Sequence, residues 1–456
     1  MSVNAASAGT AAGRMSREER KVLAGTLVGT TIEWYDFFIY AQAAGLVLAT
    51  LYFGPINDGP LGQVVSFATI GISFLFRPLG AVVAGHLGDR IGRKKMLVFT
   101  LIMMGASTAL IGVVPTYAQI GVAGPILLIL LRILQGFSAG GEWGGAALLS
   151  VEHAPVNKRG LFGAYPQIGV PIGMILATFV MYVLSTSLTE EQFEAWGWRI
   201  PFLLSVVLIA VGYFIRRSVS ESPIFKEIQE RKKESSAPLR QLFRHNTREV
   251  VLSALIFVAN NAAGYLVIAF FASYASGKPN PDGGGGLGMD RPSVLLATTL
   301  GSFGWLIFTL YGGILSDRIG RIRTFQIGYA WVFLWSVPMF LLIDTTNIIL
   351  FAVAIFVLTV GLGLSYGPQS AMYAEMFPAK VRYSGVSIGY ALGAILGGAF
   401  APTIAQALLN ETQWSPSIGI YIMVLCVISF VAVTMVKETR GTDLHVETAP
   451  KRRARH

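Results

Sequence analysis

Residues 85–95 read GHLGDRIGRKK, and the pentapeptide DRIGR at 89–93 returns unchanged at 317–321, half the length of the 456-residue chain further on. A second pair keeps almost the same spacing: Glu152, Pro155 and Arg159 form E-x-x-P-x-x-x-R, and Glu375, Pro378 and Arg382 repeat it. A third links SESP at 220–223 to KETRG at 437–441. Three ordered pairs at nearly constant offset mean two copies of one unit. Between the copies lies a charged segment, 217–248.

Composition says what solvent the units fold in. Hydrophobic residues make up 53% of the chain and charged residues 13%, about half the ~25% of a soluble domain. Mean hydropathy is +0.60. A cytosolic enzyme, a disordered chain and a nucleic-acid binder with one basic face are excluded. Apolar runs long enough to cross a bilayer, about 20 residues each, fall at 22–50, 62–85, 96–114, 122–150, 160–184, 197–216, 249–275, 293–315, 324–343, 347–377, 383–409 and 416–436. Twelve spans divide into a bundle at 22–216 and a bundle at 249–436, with 217–248 as linker and 1–21 and 437–456 as tails. The first 20 residues have no apolar core and do not read as a cleaved signal peptide.

Cation placement orients this frame. Both tails and the loops after even-numbered spans hold 30 of the 35 Lys and Arg, whereas the other loops hold only Arg199, Lys278 and Arg291. The remaining two, Arg77 and Arg132, lie inside spans. Both termini are therefore expected in the cytoplasm, and the net charge of +10 expresses topology, not a partner. Trp196, Trp198, Trp414 and Tyr117 fall at outer helix ends, where an interfacial aromatic belt is expected. Cys426 is the sole cysteine, so disulfides within the chain and thiolate metal sites are excluded.

The loop GHLGDRIGRKK resembles the signature of the major facilitator superfamily. GTTIEWYDFFIY at 29–40, GGEWGGAALLSVE at 140–152 and GWRIPF at 197–202 resemble its metabolite:proton symporter branch, whose members carry shikimate, α-ketoglutarate, citrate and proline or betaine. The chain looks most like the shikimate type, and it lacks the long C-terminal coiled coil of the osmosensing type. The resemblance implies an all-α membrane fold of twelve helices in two six-helix halves, in a bacterial cell membrane. It also implies transport by alternating access, with protons as coupling ion and no cofactor.

Ionisable groups inside a bilayer are costly and are functional candidates by default. Glu33 and Asp36 lie in span 1, Arg77 in span 2, and Arg132 and Glu142 in span 4. Three acids against two arginines leave one negative charge, which a single proton neutralises. Asp36 sits at mid-span and Arg132 about 6 Å from that level, so the expectation is a switch. Asp36 pairs with Arg132 when ionised and, on protonation, frees it for a substrate carboxylate, which the planar guanidinium binds bidentately. Glu33 and Glu142 are further proton candidates. The alternative is a static ion-pair network pinning spans 1, 2 and 4, the role that suits Arg77 best, although Arg77 also stands with Arg132, Gln135 and Tyr40 among the candidates for substrate. Gln135 and Tyr40 lie one turn from Arg132 and Asp36 and can share their faces. Gln167, Asn260, Asn261, Tyr265, Tyr366 and Gln369 supply neutral polar groups for substrate, or merely hydrogen bonds between helices.

From the superfamily resemblance come gating roles for Asp89, Arg90, Arg93, Asp317, Arg318 and Arg321. Glu152, Arg159, Glu375 and Arg382 are their expected partners, and the aspartates can cap neighbouring helices. No nucleophile motif, metal-ligand cluster or P-loop supports an enzyme. The reading is a proton-coupled symporter importing a small polar metabolite, such as a shikimate-like hydroxy acid or dicarboxylate. The alternative is a facilitator or proton-coupled efflux pump. One chain holds both halves of a transport path, so it is expected to act as a monomer, with the bilayer, protons and a small molecule as its partners.

Overall fold

The computed structural model describes residues 16–54, 60–91, 93–218, 238–279, 285–379 and 381–444. Among them the chain is helical, with no strand. Twelve rods cross the molecule. The first half contains α1 (Arg17–Ala43, continued by π-helical turns Ala44–Phe53), α2 (Pro60–Ile91), α3 (Arg93–Ile111), α4 (Ala123–Ala139, then Glu142–Glu152), α5 (Arg159–Ser187) and α6 (Ile200–Ser218). The second contains α7 (Thr247–Tyr265, Leu266–Phe270, Phe271–Ser276), α8 (Arg291–Ile319), α9 (Arg321–Trp335, Pro338–Ile343), α10 (Ile348–Tyr366, Gln369–Met376), α11 (Arg382–Ala394, Ile395–Ala399, Ala401–Thr412) and α12 (Pro416–Thr434). Ten carry apolar stretches long enough to span a bilayer; α3 is apolar over the shorter Val98–Ile111, and α9 breaks before Pro338, whose ring and missing N–H oppose continuous helix.

Local chemistry sets the ends. Asp290 caps α8 by accepting from the Ser293 amide at 3.0 Å, and Asn347 caps α10 through the Ile349 amide at 2.9 Å. Gly320, at φ 101°, takes the backbone through a conformation costly for other residues and turns α8 into α9. The outer surface is apolar, with Val206, Phe214, Leu334, Ile349 and Val424 exposed, as a lipid-facing wall requires. Trp196 and Trp414 are exposed at helix ends. Trp198 instead is buried, edge-on to Tyr52 and Phe202, so it belongs to the core and not to the aromatic belt.

Close crossings position the polar interior. A β-carbon on Gly80 would lie 1.8 Å from the Phe137 carbonyl oxygen, and one on Gly136 1.9 Å from that of Ser73. Such contacts let α2 and α4 touch backbone to backbone, which brings Arg77 and Arg132 near each other. The halves meet along two seams, α5 against α8 and α2 against α11.

Candidate functional site

All five intramembrane charges are buried, none more than 2% exposed, but the structure sorts them differently from the expected switch. Arg132 donates through Nη1 to Gln135 Oε1 and through Nη2 to Ser73 Oγ at 3.0 Å. Its Cζ sits 3.9 Å from the Tyr40 ring centroid. Gln135 passes the chain on to Thr108 Oγ1 at 2.7 Å, and the Tyr40 hydroxyl pairs with Thr69 Oγ1 at 2.6 Å. Gln135 and Tyr40 thus do gather at Arg132, but as a neutral cradle. Asp36 is not its ion-pair partner. Its Oδ1 accepts from Ser205 Oγ at 2.5 Å, on α6, while Oδ2 has no hydrogen-bond partner. The reason is angular: α1 directs Asp36 toward α6, while the neighbouring Phe37 and the Tyr40 ring cover the guanidinium.

Arg77 occupies the seam. Its Cζ lies 4.3 Å from the ring centroids of Phe37 and Phe74 and 5.4 Å from that of Trp34, and its Nε and Nη2 make no hydrogen bond. Tyr265, from the second half, closes the enclosure, edge-on to Phe74 at 5.0 Å and 6.3 Å from Trp34. Glu33 and Arg77 both lie within electrostatic reach of Tyr265, Tyr366 and Tyr390. An aromatic wall continues from there. Trp143 stacks on Tyr390 at 3.7 Å and Tyr390 on Phe257 at 4.6 Å, while Trp305 stands 6.2 Å from Tyr366.

Along this wall several buried donors lack partners: Trp34 Nε1, Tyr265 OH, Trp305 Nε1 and Gln369 Nε2, besides the two nitrogens of Arg77. A buried donor without acceptor costs about 1–3 kcal/mol, so this seam calls for a ligand rich in acceptors. Gln167 bridges the halves, accepting from Trp143 Nε1 at 2.9 Å and donating to the Tyr366 carbonyl at 3.2 Å. Asn260 is committed to the Leu362 carbonyl and Ser365 Oγ, and Asn261 to the Ala394 carbonyl; these are bonds between helices. Glu142 is buried at the break in α4, beside Gly141, whose carbonyl accepts from Tyr383 of α11 at 2.6 Å. Sequence reasoning missed Trp34, Phe74, Trp143, Phe257, Trp305 and Tyr390. The signal available was the aromatic residue directly following each of Glu33 and Glu142.

At the end where α1 begins and α12 finishes, a polar lock joins the halves. Asp317 accepts from the amides of Gly160 and Leu161 at 2.8 and 2.9 Å, capping α5 from the other half, and pairs with Arg321 at 2.7 Å. Arg321 also grips Glu375 through Nε at 3.1 Å and Nη2 at 3.2 Å. Burial lowers its affinity for the proton, but the Glu375 and Asp317 carboxylates outweigh this and hold the guanidinium above its ordinary value. Arg159 lies 3.9 Å from Glu375 and Arg382 3.6 Å from Glu152, both across the halves. Arg318 is exposed, and among the described residues only its carbonyl is used, by Arg440. The side chains of Asp89, Arg90 and Arg93 lie outside the described residues.

A strap beyond α12 completes the lock. Glu438 accepts from the Arg321 and Ile322 amides at 3.0 and 3.2 Å, and Thr439 donates to Glu375 at 3.0 Å. The Thr442 and Leu444 carbonyls accept from Arg159 and Arg382. At the opposite end Ser273 donates to the Gly45 carbonyl at 3.1 Å, so the halves touch above and below the aromatic seam.

The solved structure of the major facilitator superfamily proton:xylose symporter XylE bound to 6-bromo-6-deoxy-D-glucose superposes with a TM-score of 0.75 at 16% identity, over 94% of this chain and 98% of that one. The inner membrane metabolite transport protein YhjE of Escherichia coli K12 is 39% identical over 93% of this chain and 95% of its own. The shikimate transporter of the same organism is 36% identical over 93% and 96%. The glycine betaine/proline/ectoine/pipecolic acid transporter OusA of Dickeya dadantii is 32% identical over 93% and 84%. The sugar (and other) transporter family matches residues 22–242 and 224–449, and the chain belongs to that family, within the major facilitator superfamily.

Proposed function

We propose that the chain is a proton-coupled symporter that imports a small carboxylate-bearing metabolite, a shikimate-like hydroxy acid or a dicarboxylate, across a bacterial inner membrane. The observation that carries the reading is Arg77, buried at the seam between halves with Nε and Nη2 unbonded. A planar guanidinium with two unmet N–H groups fits a carboxylate. Tyr265, Trp34, Trp305 and Gln369 would serve hydroxyl or carbonyl oxygens, with Tyr366 and Gln167 on the wall. Arg132 takes the role of a positioning residue, since its donors already serve Ser73 and Gln135. Asp36 is the proton carrier of choice, since an ionised carboxylate that has only the hydroxyls of Ser205 and Thr108 as neighbours and no cation is costly in hydrocarbon. Glu33 and Glu142 stand as second carriers.

Both termini lie in the cytoplasm in this reading, supported by the cation asymmetry. Residues 22–216 and 249–436 are the bundles that rock, 217–248 links them, and one chain suffices. The lock of Asp317, Arg321, Glu375, Arg159, Arg382 and Glu152 is the cytoplasmic gate. The test is binding of a panel of small organic acids to purified protein and to Arg77→Lys. A single-point ammonium loses the fork, so at least about tenfold weaker binding is expected. Unchanged affinity in a folded Arg77→Lys protein removes Arg77 from the site.

A further inference from the structure

On the outer surface between α9 and α12, at the end that carries the strap, lies a laterally open groove of about 420 Å³ lined by Ile319, Arg323, Gln326, Ile327, Ala330 and Phe430. Ile327 and Phe430 are 44% and 37% exposed. Arg323, in the first turn of α9, is also exposed, and among the described residues it makes no hydrogen bond or ion pair. The nearby carboxylate of Glu438 is already committed to the Arg321 and Ile322 amides. Gln326 ties the groove's two walls by donating to Thr434 Oγ1 of α12 at 3.1 Å.

Polarity changes along the groove in register with a bilayer. The cation sits at the helix end, and the walls become wholly apolar at Ile327 and Ala330, about 6 and 10 Å deeper at 1.5 Å per residue. We propose that this groove seats one anionic phospholipid, its phosphodiester on Arg323 beside Gln326 and one acyl chain along Ile327, Ala330 and Phe430. The guanidinium fork matches phosphate oxygens, and a basic pocket between spanning helices at the headgroup level is where an anionic lipid gains most. Charge alone explains Arg323 at an interface. The apolar slot running inward from it is what specifies a seated lipid, and this site stands independently of the transported substrate.

Native mass spectrometry of delipidated protein, offered phosphatidylglycerol or phosphatidylcholine of identical acyl chains, tests it. Wild type retains phosphatidylglycerol preferentially. Arg323→Ala weakens that retention about fivefold, and Ile327→Trp, which fills the slot, does the same. Arg318→Ala, which removes an exposed cation at the same end but outside the groove, leaves it unchanged. Monodisperse elution and circular dichroism verify folding, and Ala330→Leu replaces Ile327→Trp if the latter does not fold. Equal retention in Arg323→Ala, an equal loss in Arg318→Ala, or full retention with the slot filled each overturns the proposal.

Discussion

Replacing Asp317 by alanine should unfasten the terminal end of the bundle. The carboxylate accepts two amides from α5 at 2.8 and 2.9 Å, both across the seam between halves, and its side chain is only 11% exposed. Hydrogen bonds to a charged acceptor contribute about 1.5–3 kcal/mol each. Both groups recover water when the halves part, so the net bias toward closure is about 2–3 kcal/mol, or roughly 30- to 150-fold in the closed-to-open ratio. Arg321 keeps Glu375 and holds its own half together. The assay uses Ser370, which is buried against α5 with a hydroxyl that makes no hydrogen bond, so Ser370→Cys is close to isosteric. With Cys426, the only native cysteine, changed to serine, the alkylation rate at position 370 reports the open population. Asp317→Ala should accelerate it at least about tenfold. An unchanged or slower rate in a protein of wild-type helicity would refute the assignment of Asp317 as a fastener between halves.

Arg132→Lys should cost about 2–3 kcal/mol of stability, because one ammonium cannot serve both Ser73 and Gln135; a fall in Tm of roughly 5 °C checks this, while an unaltered Tm would mean the cradle is slack. Asp36→Asn keeps the hydrogen bond from Ser205 but removes titration, so proteoliposomes should lose accumulation driven by an acidic exterior while retaining exchange of labelled for unlabelled substrate; wild-type accumulation moves the proton to Glu33 or Glu142. Gly136→Ala places a methyl group 1.9 Å from a backbone oxygen of α2, and thermal melts should show at least about 3 kcal/mol of destabilisation, with normal stability disproving the backbone contact.

Hydropathy and the repeated loops made the twelve helices and the two halves legible, because lipid demands long apolar runs and gene-scale repetition survives as short strings such as DRIGR. The intramembrane charges were equally visible. Their partners were not. Whether Asp36 meets Arg132 or Ser205 depends on helix rotations of a few tens of degrees that no linear spacing encodes. Arg77 read best as a structural pair because sequence offers acids nearby, yet its guanidinium lies against the rings of Phe37, Phe74 and Trp34. Asn260 and Asn261 looked like ligand donors since an unspent amide and one spent on a facing carbonyl are written alike. Trp198 looked interfacial for its position at a helix end, although its ring turns inward onto Tyr52 and Phe202.

The strap of residues 438–444 follows every spanning helix in chain order, yet Arg159 of the first half donates to its Thr442 carbonyl. A protein made from its N-terminus forward therefore completes both bundles and the Asp317 fastener between them before the strap that reinforces their junction exists. During biosynthesis the halves are first held by Asp317 on the Gly160 and Leu161 amides and by the Arg159–Glu375 and Arg382–Glu152 pairs, and a chain that stalls after α12 would lack the further tie from Arg159 to Thr442.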